Sequence, residues 1–169
     1  MNWILFGFKG AGKSYFAKRL GLPYIDTDQL IEDELMSPQQ LVLQKGMKNF
    51  RAVEKKTIAS LTPSNTVIAV GGGAVLDLEN LTNLRKLGTL IYLKCPKELL
   101  KKRFENAQTT FTDFEKLYAT RIPKYETIAA KWIEIEGKTD QEIIEAIWEV
   151  INLEKSLASP PGASLTAKP

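Results

Sequence analysis

An α/β fold built on a parallel sheet is predicted by two observations. Short apolar runs alternate with amphipathic segments along most of the 169 residues, with no adjacent hairpins between them. That alternation is the pattern of a parallel sheet covered by helices on both faces. The first apolar run, Trp3-Ile4-Leu5-Phe6, leads straight into Gly7-Phe8-Lys9-Gly10-Ala11-Gly12-Lys13-Ser14 and then a helical stretch. Strand, G-x-x-x-x-G-K-S and helix, in that order, form a phosphate-binding P-loop in its required setting.

The elements follow in order. Strands are expected at Trp3–Gly7, briefly at Tyr24-Ile25, and at Thr66–Val70, Thr89–Leu93 and Lys131–Ile135. Helical patterns occupy Lys13–Leu20, Gln29–Leu35, Pro38–Lys45, Met47–Leu61, Leu78–Lys86, Pro96–Glu105, Asp113–Ala129 and Thr139–Leu153. Pro96 suits a helix's first turn, whereas Pro123 is expected to interrupt its helix or begin a new turn. In such a fold, ligands bind at the carboxyl ends of the strands, where the P-loop sits. Residues 1–154 read as one domain and 155–169, rich in Ser, Ala and Pro, as a flexible tail.

Composition narrows the chemistry. The chain has 44% hydrophobic and 25% charged residues and a formal charge of +3, ordinary for a globular protein and too weakly basic to suggest nucleic-acid binding. With no histidine and a single cysteine, Cys95, it excludes His-dependent acid–base and triad chemistry, His-ligated zinc and an internal disulfide. Cys95 reads as a strand-to-helix junction residue. No apolar run approaches a membrane span and no secretory signal precedes the P-loop, so a cytoplasmic protein is expected, and a monomer fits this size.

Within the P-loop, backbone N–H groups of Gly10, Ala11, Gly12 and the following helix would face phosphate oxygens. Lys13 would reach the β- and γ-phosphates, and the Ser14 hydroxyl would ligate Mg²⁺. Asp26-Thr27-Asp28 follows the second strand, which places two carboxylates at the same sheet edge. One could hold Mg²⁺ and the other a substrate hydroxyl; alternatively, Thr27 or Asp28 simply caps the next helix. Arg51 and Glu54 share a helix face, Arg51 being suited to a carboxylate ligand or to an ordinary ion pair with Glu54. Gly71-Gly72-Gly73 directly after a buried strand points to close backbone approach by a ligand. Arg121, inside Arg121-Ile122-Pro123-Lys124-Tyr125, could be aimed inward by the proline.

Taken together, G-x-x-G-x-G-K-S, Asp26-x-Asp28, Phe50-Arg51-x-x-Glu54, Gly71–Gly73 and Arg121-x-Pro123-x-Tyr125 resemble the shikimate kinase family over residues 1–153. The resemblance implies a P-loop kinase with a three-layer αβα fold and a five-stranded parallel sheet in order 2-3-1-4-5. It implies substrate-binding helices at about 27–61 and a lid at about 106–113. It implies transfer of the ATP γ-phosphoryl to the 3-hydroxyl of shikimate in chorismate and aromatic amino acid biosynthesis, with Mg²⁺ as cofactor. Arg51, Arg121 and Gly71–Gly73 would bind shikimate, with Glu54 positioning Arg51 or touching substrate, and Asp28 would orient or deprotonate the hydroxyl. Asp26 would support Mg²⁺ with Ser14. The nucleotide would meet the P-loop through Tyr15, and Arg103, with Lys138 and Thr139 opposite, would flank adenine.

Two departures stand out. The family lid carries an arginine that contacts the phosphates, whereas Asn106–Asp113 contains no Lys or Arg. Lys9, Lys102 and Arg121 are the cations that could substitute, and reduced turnover is the expectation otherwise. Ala69-Val70 also lacks the hydroxyl residue many relatives have before the glycines. A gluconate-type small-molecule kinase and a catalytically silent nucleotide- or shikimate-binding module are the alternatives at this stage.

Overall fold

A computed structural model describes residues 1–107 and 113–158. Most of the expected lid and the end of the expected tail, 159–169, lie outside the described residues. Five parallel strands, β1 (Asn2–Phe6), β2 (Tyr24–Asp26), β3 (Val67–Ala69), β4 (Gly88–Lys94) and β5 (Lys131–Glu134), form one sheet in the order β2-β3-β1-β4-β5. The three-layer α/β architecture and strand order are those expected. The central strand β1 has Trp3, Ile4, Leu5 and Phe6 all fully buried, which is why it reads as a continuous apolar run and not as an alternating one.

Helices α1 (Lys13–Arg19), α2 (Thr27–Glu34), α3 (Pro38–Ala59), α4 (Leu78–Leu87), α5 (Lys97–Asn106), α6 (Phe114–Ile128) and α7 (Asp140–Ala158) connect and cover the strands. Ser37 caps α3 through a reciprocal capping box with Gln40, and Pro38 occupies the first turn. The two helical patterns expected at Pro38–Lys45 and Met47–Leu61 are the halves of α3, separated by a break at Gly46.

Two expectations are corrected. Pro123 lies inside α6 without interrupting it. Its fixed φ suits a helix, and the lost bond to the Ala119 carbonyl and the crowding of that carbonyl by the ring are offset by the packing of α6 through buried Phe114 and Tyr125. The final helix carries on to Ala158, four residues past the boundary at Glu154. There the Lys155 ammonium stacks 5.0 Å from the Trp3 ring and 5.5 Å from the Trp148 ring, pinning α7 to the sheet.

The main core surrounds the sheet. Ile31, Leu41 and Phe50 form a separate small cluster that joins α2 to α3. The strands' register is what builds the site. Leu5 of β1, Ala69 of β3 and Asp26 of β2 lie side by side, so the segments that leave these strands start at one edge. Among the described residues, no helix is long and apolar enough to cross a membrane.

Candidate active site

A cleft of about 460 Å³ opens at that edge, lined by the P-loop, Asp26, Asp28, α3, Gly71–Gly73 and Arg121. Its volume suits a small-molecule site.

The P-loop is fixed from below by Phe8. This side chain is buried and packs edge-on to Phe114 at 5.5 Å, with Phe104 at 6.4 Å. Gly12, at φ 91°, turns the loop into α1 and provides no side-chain cap, so the first amides of the helix stay free for an anion. Lys13 donates to the carbonyls of Gly7 (3.1 Å) and Phe8 (2.9 Å). Burial pulls its pKa down to about 8, against the pull of Asp28 and Asp26. Gly10, Ser14 and Tyr15 line the same cleft, while Ala11 is buried beneath it.

Asp26-Thr27-Asp28 does not continue β2 as an extended segment but turns into a helix at once. Asp26 itself is the cap of α2, its Oδ1 accepting from the amides of Asp28 (3.0 Å) and Gln29 (3.3 Å). Thr27 and Asp28 therefore sit in the first helical turn, because the cap satisfies amides that an extended chain would leave open. Thr27 is fully buried and accepts from the Gly71 amide at 3.3 Å, tying α2 to the glycine run. Asp28 faces the cleft with a buried Oδ1 that has no hydrogen-bond partner among the described residues. Burial and the neighbouring Asp26 raise its pKa.

Glu54 is fully buried on α3. Its Oε2 accepts from Arg51 Nη1 at 2.7 Å, while Oε1 is unpartnered. Burial lifts its pKa despite that guanidinium. Arg121 projects from α6 to the other side of the glycine run, with its guanidinium 5.9 Å from the Phe8 ring.

The glycines are explained by what presses on them. A Cβ at Gly71 would stand 2.8 Å from Asp28 Oδ1 and 3.0 Å from Glu54 Oε1. At Gly72 it would stand 2.9 Å from Arg121 Nη1, and at Gly73 only 2.2 Å from Arg51 Nη2. Three bare positions thus let two carboxylates and two guanidinium groups converge on one strip of backbone. Below the strip, the Tyr125 hydroxyl donates to the Gly72 carbonyl, with Tyr125 fully buried among Phe6 and Tyr92.

The remaining expected nucleotide contacts are peripheral. Arg103 donates to the Gly10 carbonyl at 2.6 Å and so reaches the back of the P-loop. Lys138 and Thr139 lie in the β5–α7 loop, where Thr139 bonds Glu142. Tyr15 reaches the start of α7 through its hydroxyl, 2.5 Å from Asp140, which brings that loop beside α1. Lys102, on α5, is exposed and does not line the cleft.

Two features of the site escaped the sequence reading. Tyr125 was visible only as the end of a run that begins at Arg121. The apolar wall of Val42, Leu43, Met47 and Phe50 was signalled by three successive apolar residues, Leu41-Val42-Leu43, too many for a single buried stripe.

Comparison with known proteins agrees with this geometry. The sequence profile of the family described as "Shikimate kinase" matches residues 9–152. A shikimate kinase of Streptococcus gordonii is 36% identical over 158 residues, which cover 87% of this chain and 98% of the relative. One from Lactococcus lactis subsp. cremoris is 31% identical over 161 residues, covering 89% and 99%. The solved structure of Acinetobacter baumannii shikimate kinase in complex with shikimate superposes with a TM-score of 0.79 at 27% identity, covering 91% of this chain and 94% of that one. The chain belongs to the shikimate kinase family.

Proposed function

We propose that this chain transfers the γ-phosphoryl group of ATP to the 3-hydroxyl of shikimate, giving shikimate 3-phosphate and ADP. The observation that carries this reading is the position of Asp28. Its unpartnered Oδ1 stands over Gly71 in the cleft that Lys13, Arg51 and Arg121 also line, and the charges of Lys13 and Arg51 both act on it. A small carboxylate-bearing polyol needs guanidinium groups for its carboxylate and a carboxylate beside its hydroxyl. The cleft offers both within one strip of backbone.

Arg51 and Arg121 bind the acceptor's carboxylate, Glu54 holding Arg51 in place. Asp28 accepts a hydrogen bond from the 3-hydroxyl and takes its proton. The hydroxyl oxygen forms the new bond to phosphorus as the bond from phosphorus to the β,γ-bridging oxygen breaks, and ADP leaves with that electron pair. In a loose transition state the proton leaves late, so Asp28 works chiefly by orientation. Lys13 and the P-loop amides hold the phosphates. Ser14 and Asp26 fit Mg²⁺: both line the cleft with hard oxygen donors, and Asp26 keeps Oδ2 outside its capping bonds. Magnesium, when bound, neutralises charge on the β- and γ-oxygens. A monomer is the working unit of this reading, and a cytoplasmic setting accompanies it.

The test is shikimate-dependent ADP formation with Mg-ATP, beside quinate, gluconate and AMP as acceptors. Turnover with shikimate, lost in Asp28→Asn while shikimate still binds, is the expected result. Turnover with another acceptor only, or none at all, sinks the reading.

A further inference from the structure

Phosphoryl transfer spreads charge over the oxygens of the moving group, and cations must face it. Four described cations line the cleft: Lys9, Lys13, Arg51 and Arg121. Arg51 is committed to Glu54 at 2.7 Å. Arg121 is held at Gly72, over Phe8 and beside the Tyr125 hydroxyl. Lys13 is bonded to two loop carbonyls. Lys9 alone has no hydrogen-bond or ion-pair partner among the described residues, and its side chain is exposed within the cleft.

Its backbone lies where the two ends of the cleft meet. The Lys9 nitrogen would be 3.5 Å from a Cβ on Gly72, so the residue joins the phosphate loop to the acceptor's glycine run. Its charge acts on both Asp28 and Lys13. The stretch Asn106–Asp113, whatever its position, brings no Lys or Arg.

We propose that Lys9 is a catalytic cation of this enzyme, its ammonium resting against the γ-phosphoryl oxygens opposite Lys13. It forms no covalent bond and takes no proton; it offsets the charge that accumulates as the bridging bond breaks. This role rests on the phosphoryl-transfer reading above and adds to it the source of the missing charge.

The test compares the full chain with Lys9→Met, Lys9→Arg and, as a control cation outside the cleft, Lys102→Met. Steady-state kinetics are combined with calorimetric binding of ATP and of ADP. Lys9→Met is expected to lower kcat by about a hundredfold or more, the scale of losing one preorganised charge contact. Shikimate KM should stay within about threefold, because the loss is confined to the transferring group. The preference for ATP over ADP should narrow, Lys9→Arg should restore most of kcat, and Lys102→Met should match the parent.

A Lys9→Met enzyme that keeps its kcat and its ATP preference overturns the proposal. So does a loss that Lys9→Arg fails to rescue, since that reports loop damage and not charge. If the parent chain forms no ADP with shikimate, the functional reading fails separately. The ATP-over-ADP preference then decides on Lys9 alone, its loss in Lys9→Met supporting the role and its retention overturning it.

Discussion

At Gly73 a single methyl group decides where a guanidinium can sit. A Cβ there would overlap Arg51 at 2.2 Å from Nη2, but the obstacle is the far end of a flexible side chain and not backbone. Gly73→Ala should therefore fold normally and displace Arg51 from the cleft. Losing a charge-assisted hydrogen bond is worth about 1.5–3 kcal/mol, so shikimate KM should rise roughly ten- to a hundredfold, and the melting temperature should fall moderately because buried Glu54 loses the guanidinium that pairs with it. A large drop in melting temperature with unchanged KM would show that Arg51 tolerates the methyl and the backbone does not. Asp28 and Glu54 press on Gly71 in the same way, which explains why three consecutive residues give up side chains directly after a buried strand.

At the scale of elements, α3 is the least regular piece. Gly46 interrupts it at φ 84° and ψ 161°, a conformation that side-chain-bearing residues avoid. Nothing lies within 4 Å of a Cβ at that position, so Gly46→Ala isolates backbone strain from packing. It should destabilise the protein by about 1–3 kcal/mol, read as a lower urea midpoint. It should also raise shikimate KM, because Met47 and Phe50 follow the break and line the cleft. An unchanged midpoint and KM would mean that either helix geometry serves. Strands β1, β3 and β4 were legible as apolar runs, β2 and β5 only as short segments of one or two apolar residues in an α/β alternation, and the two halves of α3 because Gly46 divides them. The continuity of α6 through Pro123 was not, since the proline's cost is offset by tertiary packing of Phe114 and Tyr125 that local sequence does not encode. Nor was the capping role of Asp26 legible: a carboxylate ahead of a helix reads equally well as cap or ligand until its rotamer is known.

At the scale of the whole molecule, the cleft concentrates buried charge contributed by four separate stretches of chain. The P-loop was legible because its chemistry is local. The convergence of Asp28, Glu54, Arg51 and Arg121 on Gly71–Gly73 depends on the Leu5–Ala69–Asp26 register, which spacing alone does not encode. Such a cleft opposes folding while serving the ligand, and Lys13 makes the conflict measurable. Its pKa is about 8 in the folded chain against an ordinary 10.5. Below about 8, Lys13 is protonated whether folded or not, and the penalty of burying the ammonium is present in full. Between about 8 and 10.5 the unfolded chain binds more protons, so stability rises with pH across that window. Asp28 and Glu54, both raised by burial, have the opposite slope: their penalty grows as pH rises through the carboxylate range. Lys13→Met removes the lysine titration together with its coupling to Asp28, so the difference between parent and variant reports the lysine site. That difference should move in the parent's favour on going from pH 8 to 10.5, by up to about 3 kcal/mol, measured by denaturant unfolding without ligand. Saturating ATP should abolish the slope, because phosphate oxygens hold the Lys13 proton to higher pH. A difference that stays flat without ligand would mean that the ammonium is solvated in the empty cleft, and that phosphate binding gains nothing from releasing it.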